Sequence, residues 1–327
     1  MHIIEKINSM LDYGREYGIK CLLAVSLSNL FQYKKGKKLS WRLLQYKHKV
    51  MTDYLYKNYY SKVYEKRLQT TIESQFHQCI WSAWLQGENE APDVIRLTLA
   101  SIRKNAGTHR VIVLTNENIH DYIEVPAVIL DKHRSGIIGN AHFADIVRMM
   151  ILAKYGGLWL DATMLLHEPI DESAFSREFF SVGLNKIEPS RYVANNKWLV
   201  GVVGGSYNSP FLWAISQMLN EYWTEHNTCI DYFVFDYLIA VLYENNTSFA
   251  CAVDTLPRME FYTNSLRKII NTSVHDAQLN DLMCKGQMYY LSYRYDYLKQ
   301  LEDGNETVYG YLYRSLLSDQ DERKHNQ

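Results

Sequence analysis

Residues 1–75 contain no proline, and apolar side chains recur there at helical spacing, as at Ile4, Ile7 and Leu11, so this stretch is predicted to be helical. The pattern changes at residues 79–85 (CIWSAWL), a short apolar and aromatic run suited to a buried strand, closed by the polar loop QGENEAP. Residues 93–104 (DVIRLTLASIRK) are amphipathic, with Val94, Leu97 and Ile102 on one side, and are predicted to form a helix. Strands are expected at 110–114 (RVIVL) and 127–130, followed by a Gly- and His-rich loop at 133–142. A helix over 143–154 is stopped by Tyr155-Gly156-Gly157, and a strand at 158–160 then runs into Asp161. Further on, the pattern predicts a strand at 198–203, a turn at Gly204-Gly205, helices over 210–224 and 232–243, and a tyrosine-rich strand at 288–295 (MYYLSYRY). This strand–helix–strand rhythm predicts an α/β fold built on a mostly parallel sheet.

Composition narrows the class. The 327 residues are 47% hydrophobic and 22% charged, which excludes disordered, collagen-like and coiled-coil chains. A chain this long can bury a large core without a disulfide or metal staple. The five cysteines (Cys21, Cys79, Cys229, Cys251, Cys284) are odd in number, and none forms a Cys-x-x-Cys pair. With no signal-peptide pattern, they set the expectation of a reducing, cytoplasmic compartment, in which Asn246, Asn271 and Asn305 are ordinary surface positions despite their Asn-x-Ser/Thr context.

Charge is divided unevenly. The formal net charge is −1, yet residues 1–80 hold 14 Lys and Arg against 6 Asp and Glu, and the remainder holds 21 against 30. The basic cluster is densest at Lys34, Lys35, Lys37, Lys38, Arg42, Lys47, His48 and Lys49, with Tyr33, Trp41 and Tyr46 between them. An anionic membrane face, nucleic acid, or solvent alone could meet such a cluster. The apolar stretch before it, residues 19–31 (IKCLLAVSLSNLF), favours the membrane; it is too short to span a bilayer, which needs about 20 apolar residues, but it can lie in the interface or pack on the protein. No nucleic-acid motif accompanies the cluster, and the acidic remainder argues against that partner.

The block from Ala141 to Thr163 carries the most chemistry. On a helix, Asp145 and Arg148 share a face. Asp161 ends a hydrophobic strand, where open α/β sheets bind ligands, and a carboxylate buried there needs a cation or donors. The structural alternative is a capping Asp with a surface ion pair. Asp231 and Asp236 in IDYFVFDYL are two further acids, five residues apart, so both need not face one cleft. Either could bind acceptor hydroxyls or act as a base, and Asp231 could equally cap a helix.

HFAD-x-x-R-x-x-x-L-x-x-YGG-x-W-x-DAT, together with the upstream run IWSAWLQGENEAPDVIRLTLASIRKN, resembles the signature of capsular polysaccharide synthesis glycosyltransferases, relatives of glycosyltransferase family 32. The resemblance covers roughly residues 78–170, with weaker similarity at WLVGVVGG and DYFVFDYL. It implies a GT-A fold, a Rossmann-like sheet for a nucleotide-sugar, over residues 76–327, with residues 1–75 as an added basic helical region. By resemblance Trp84 stacks on a uracil base, Asp145 and Arg148 hold donor-sugar hydroxyls, Trp159 precedes the motif carboxylate, and Asp161 contacts the ribose and a divalent cation (Mn²⁺ or Mg²⁺). The wider family has Asp-x-Asp, whereas this chain has Asp161-Ala162-Thr163, so the neutral Thr163 oxygen replaces a carboxylate at the metal position. Relatives often carry a His-Lys pair near the diphosphate; here Arg294, in Tyr293-Arg294, is the candidate for that charge.

The implied activity is retaining transfer of a hexose from a UDP-sugar to a glycan acceptor, lipid-linked, on the inner face of the cell membrane, where residues 19–49 would hold the protein. The alternative is an inactive, transferase-derived glycan-binding or scaffold protein, consistent with the missing second carboxylate. A haloacid-dehalogenase-type phosphatase fits poorly, since it needs Asp-x-Asp-x-Thr/Val after its strand.

Overall fold

The computed structural model describes residues 2–31, 38–63, 76–186, 190–260, 263–275, 279–283 and 286–324. An α-hairpin begins the chain, formed by α1 (His2–Leu30) and α2 (Lys38–Leu55), which continues through a π-turn (Tyr56–Tyr60) into α3 (Ser61–Val63). Then follow β1 (Ile80–Ala83), α4 (Asp93–Lys104), β2 (Val111–Leu114), α5 (Ile119–Tyr122), α6 (Ala127–Arg134), α7 (Asn140–Tyr155) and β3 (Gly157–Leu160). β4 (Met164–Leu166), β5 (Gly183–Leu184) and β6 (Val202–Gly205) lead to α8 (Pro210–Glu225), α9 (Val234–Asn245) and α10 (Thr247–Asp254). The last part holds β7 (Arg258–Met259), α11 (Thr263–Ile269), α12 (Leu279–Met283), β8 (Met288–Tyr290) and α13 (Val308–Lys324).

The central sheet has the order β2-β1-β3-β6. β1 runs parallel to both β2 and β3, and β6 closes the edge antiparallel to β3. The fold is thus α/β with a mainly parallel sheet. One core lies on the face bearing Trp81, Trp159 and Val203, under α7, α8 and α9. A second lies on the opposite face, where Ile80, Leu158 and Val202 meet α4 and α13. This alternation follows from the two-residue period of a strand.

The N-terminal hairpin joins the first core. Tyr17, Cys21 and Ala24 of α1 and Val50, Met51 and Leu55 of α2 belong to the same cluster as Trp81 and α7–α9. Polar pins reinforce the contact: His226 Nδ1 lies 2.8 Å from Glu16 Oε1, its Nε2 lies 2.7 Å from the Tyr59 hydroxyl, and the Tyr17 and Tyr222 hydroxyls are 2.7 Å apart. Gly18, with φ 83° and ψ 164°, breaks α1 into two halves. Beyond the break, Ile19, Leu23, Leu27 and Leu30 follow one helical face and remain exposed, while Cys21 and Ala24 turn inward. Among the described residues no helix is long and apolar enough to cross a membrane. Lys34, Lys35, Lys37 and Tyr33, and the boundary expected at residue 75, fall outside the described residues.

Three expectations are corrected. Residues 127–130 start the helix α6 rather than a strand: Pro126 at its N-cap has φ −54°, only Ile129 is fully buried, and Lys132, His133 and Arg134 complement the dipole of the last turn. A four-residue apolar run cannot by itself distinguish the two periods. Gly204 and Gly205 are not a turn but lie within β6, paired with Leu158 and Gly157. Of the tyrosine-rich segment only Met288–Tyr290 is a strand, paired with β4; the chain then turns, which brings Tyr293 back toward the sheet's edge.

Gly157 fixes where β3 begins. Its φ is +91°, and an added Cβ would strike the carbonyl of Cys79, the residue before β1, and approach the Trp81 indole nitrogen to 3.0 Å. Neither backbone can yield without breaking the β1–β3 pairing. Gly157→Ala is therefore expected to cost about 3 kcal/mol or more in urea unfolding, from a positive-φ penalty plus a backbone clash. A loss below about 1 kcal/mol would show that this close approach is not needed.

Candidate functional site

A cavity of about 450 Å³ opens at the carboxyl ends of β1 and β3. That volume suits a small-molecule ligand, and the position is where open α/β sheets bind one. Trp84 follows β1, Asp161 and Thr163 follow β3, Asp145 and Arg148 project from α7, and Asp236 comes from the first turn of α9. With Trp159, from within β3, seven of the sequence-predicted residues thus line one cavity.

Arg148 is the centre of the arrangement. Its side chain is only 5% exposed. Nη2 donates to Asp161 Oδ1 at 2.8 Å and lies 3.4 Å from Asp145 Oδ1, while Nη1 donates to the Val200 carbonyl. The guanidinium carbon sits 4.9 Å from the Trp159 ring centre and 5.4 Å from that of Phe235. A planar cation can meet two carboxylates, a carbonyl and two ring faces together; an ammonium cannot.

Asp161 is held as firmly. Its Oδ1 also accepts from Trp159 Nε1 at 2.9 Å, and its backbone N–H donates to the Gly201 carbonyl at 2.9 Å. Trp159 is 1% exposed and aims its indole N–H at the acid, so its role here is to orient Asp161. Gly201 makes the fit possible: a Cβ there would lie 2.7 Å from Asp161 Oδ2 and collide with the Tyr290 hydroxyl. The second oxygen of Asp161 is therefore steered by a missing side chain as well as by its partners.

Asp236 is a different kind of acid. It is 8% exposed and accepts from Trp198 Nε1 at 2.9 Å. Burial, assisted by the nearby negative charge of Asp145 and opposed by the Trp198 hydrogen bond and Arg148, pushes its carboxyl up from the ordinary 3.8 to about 7. Trp84 meets Tyr293 edge to face at 5.5 Å, and among the described residues its buried indole N–H has no hydrogen-bond partner.

Two predicted residues stand apart. Asp231 does not line the cavity; its Oδ2 pairs with Lys47 Nζ at 2.8 Å and its Oδ1 accepts from the Phe233 N–H at 3.0 Å. Arg294 is exposed and lies over the Tyr293 ring at 5.5 Å, outside the cavity lining. The sequence reading passed over His142, whose buried Nδ1 makes no hydrogen bond among the described residues and lies 3.9 Å from Asp145 Oδ2, and the wall residues Tyr232, Phe233, Phe235 and Tyr293. His142 stands in the HFAD motif and three of the aromatics in IDYFVFDYL, so the signal was present in segments already singled out.

For a divalent cation the protein offers a thin donor set. Among the described residues no three His, Cys, Asp or Glu side chains gather as a metal site. Asp161 Oδ1 is already occupied by two donors, and both Asp161 and Thr163 line the cavity. That pair fits an ion whose remaining ligands come from a bound diphosphate.

The Asp236 geometry gives a signed pH dependence. The folded chain keeps this proton to about pH 7, whereas the unfolded chain releases it near 3.8. Its contribution is complete below 3.8 and is lost as pH rises through 7. Asp236→Asn, which keeps an oxygen for Trp198, is expected to gain on wild type as pH rises from 5 to 7, by a few kcal/mol on the order of what such a shift allows, and to level off above 8. Parallel urea titrations across that range check it; a constant gap between the two proteins would refute the assignment.

A search of curated proteins finds no match. A family model described as capsular polysaccharide synthesis protein matches residues 32–312, a span that includes α2, the whole sheet and every side chain placed at the cavity above. Because that match takes in most of the chain, the protein belongs to the capsular polysaccharide synthesis protein family, and its role lies in capsule biosynthesis.

Proposed function

We propose that the protein is a retaining glycosyltransferase of the GT-A type, related to glycosyltransferase family 32, that moves a hexose from a UDP-sugar to a growing capsular glycan. The observation that carries this reading is the joining of Asp145 and Asp161 through one buried guanidinium at the carboxyl edge of the sheet, in a cavity that Trp84 also lines. Sugar hydroxyls need donors and acceptors in fixed positions, and this cluster supplies both.

In the reaction, the bond from the anomeric carbon to the diphosphate oxygen breaks, and the acceptor hydroxyl oxygen bonds to that carbon on the same face. The acceptor proton passes to the departing diphosphate, so no strong enzyme base is needed. Arg148, fixed by five contacts, keeps Asp145 and Asp161 from turning away as the sugar flattens toward an oxocarbenium ion. Trp84 forms the wall for the base. Asp236, protonated below about pH 7, can donate as well as accept a hydrogen bond. A divalent cation held by Asp161 and Thr163 would offset charge on the leaving diphosphate.

Residues 19–49 serve, under this reading, to hold the protein on an anionic membrane where lipid-linked acceptors reside. Ile19 and Leu30 are 67% and 76% exposed along one face of α1, and Lys38 and Arg42 are exposed at the start of α2. An apolar stripe beside a basic one matches lipid tails beside anionic headgroups.

Two experiments test the proposal. With a panel of UDP- and GDP-sugars, with and without Mn²⁺, wild type should hydrolyse or transfer one donor, and Asp161→Asn should lose 100-fold or more while melting within a few degrees of wild type. Turnover like wild type by a folded Asp161→Asn protein sinks the site, and absence of any nucleotide binding favours the glycan-binding scaffold. In vesicle co-sedimentation, the protein should prefer phosphatidylserine over phosphatidylcholine vesicles, release at high salt, and weaken in Leu23→Glu. Indifference to lipid charge and to salt would end the membrane reading.

A further inference from the structure

Three large aromatic side chains stand exposed beside the cavity, two of them in its lining. Tyr232 is 65% exposed, Tyr192 40% and Phe233 36%. They form a connected series with His142, which lines the cavity. His142 and Tyr232 have ring centres 5.3 Å apart, Tyr232 and Phe233 5.2 Å, and Phe233 and Tyr192 5.0 Å. The series starts inside the site and ends on the surface.

These rings are held outward by contacts that do not involve burying them. The turn bearing Tyr232 and Phe233 is fixed by Asp231, which accepts from the Phe233 N–H and pairs with Lys47 in a largely shielded ion pair, 16% and 13% exposed. The Tyr192 loop is knit by Asn195, whose side chain accepts from the Ser190 N–H and whose own N–H donates to the Tyr192 carbonyl. His48, the neighbour of Lys47 on α2, reaches the same loop: its Nε2 lies 3.2 Å from the Arg191 carbonyl and its Nδ1 2.7 Å from the Tyr237 hydroxyl of α9. Two consecutive residues of α2 thus brace both sides of the series.

The geometry points to an acceptor lip: a glycan-binding subsite in which Tyr192, Phe233 and Tyr232 stack against successive sugar rings of the acceptor chain and lead its end to His142 and the cavity. Sugar rings present flat C–H faces and hydroxyl rims. Tyrosine offers the complement, a rigid apolar face with a polar tip, at little conformational cost. The cavity, at about 450 Å³, has room for a donor-sized molecule, so a longer acceptor must extend through the mouth where these rings stand. The lip rests on the transferase reading above, and it gives Asp231 a positioning role in place of the hydroxyl-binding or base role expected from its sequence. It also makes α2 part of the acceptor site.

The test uses the full-length protein on an array of microbial capsular and cell-wall oligosaccharides, followed by titration of the glycan bound best. Tyr192→Ala and Tyr232→Ala should each weaken that binding about five- to tenfold, and Tyr192→Phe and Tyr232→Trp should stay within about twofold of wild type. All four variants change one of two exposed side chains, so melting temperatures should hold. Lys47→Gln, which removes a brace and no ring, should weaken glycan binding, and Lys47→Arg should restore it. Wild type that binds no glycan, or alanine variants that bind as wild type does, overturns the lip. UDP titration into the same wild-type sample separates the two readings: UDP binding without glycan binding refutes the lip alone, and failure to bind any nucleotide refutes the transferase.

Discussion

A single guanidinium organises this protein. Arg148 lies in the interior between Asp145 and Asp161, capped by a backbone carbonyl and flanked by Trp159 and Phe235. It gives both acids of the cavity wall a shared cationic partner, so neither faces the protein interior unpaired. The reverse also holds, since an arginine this deep needs both acids. Helix α7, strand β3 and helix α9 each supply part of the cluster, so their packing and the site's electrostatics are one problem with one solution. Such a cluster contributes little net stability compared with apolar packing, and what it supplies is fixed direction.

The surrounding backbone is shaped to this end. β3 can end at Asp161 in the right place because Gly157 lets it start flush against β1, and Asp161 can point into the cavity because Gly201 leaves space that Tyr290 shares. The N-terminal hairpin takes part too. It shares the core with α8 and α9, is pinned through Glu16, Tyr17 and Tyr59, and carries Lys47 and His48 to loops at the cavity mouth. Of the basic segment, Lys38, Arg42 and Lys49 are exposed, while Lys47 and His48 form an internal brace.

Much of this was legible in the sequence. The helix over residues 93–104 and the strands before and after it follow directly from apolar spacing, and the Tyr155-Gly156-Gly157 stop marked the start of β3. Asp145, Arg148 and Asp161 could be grouped because helical spacing and a strand-end acid act locally. What could not be read were facts set by distant partners. Asp231 looks equivalent to Asp236 in a linear string, yet Lys47 draws one away while Trp198 holds the other in the wall. Residues 127–130 carry an apolar run that fits either period, and Pro126 with the basic last turn decided for helix. Gly204-Gly205 reads as a turn because glycine usually marks one; here it marks a strand pressed close to its neighbours.

Helix α2 has two working sides. Lys47 and His48 turn inward to the cavity mouth, whereas Leu39, Arg42 and Tyr46 look outward. A bilayer resting on the outer side would be separated from the mouth by one helix diameter, about 10 Å. Under the proposed membrane reading the helix would act as a spacer, its thickness setting the distance from lipid surface to cavity mouth.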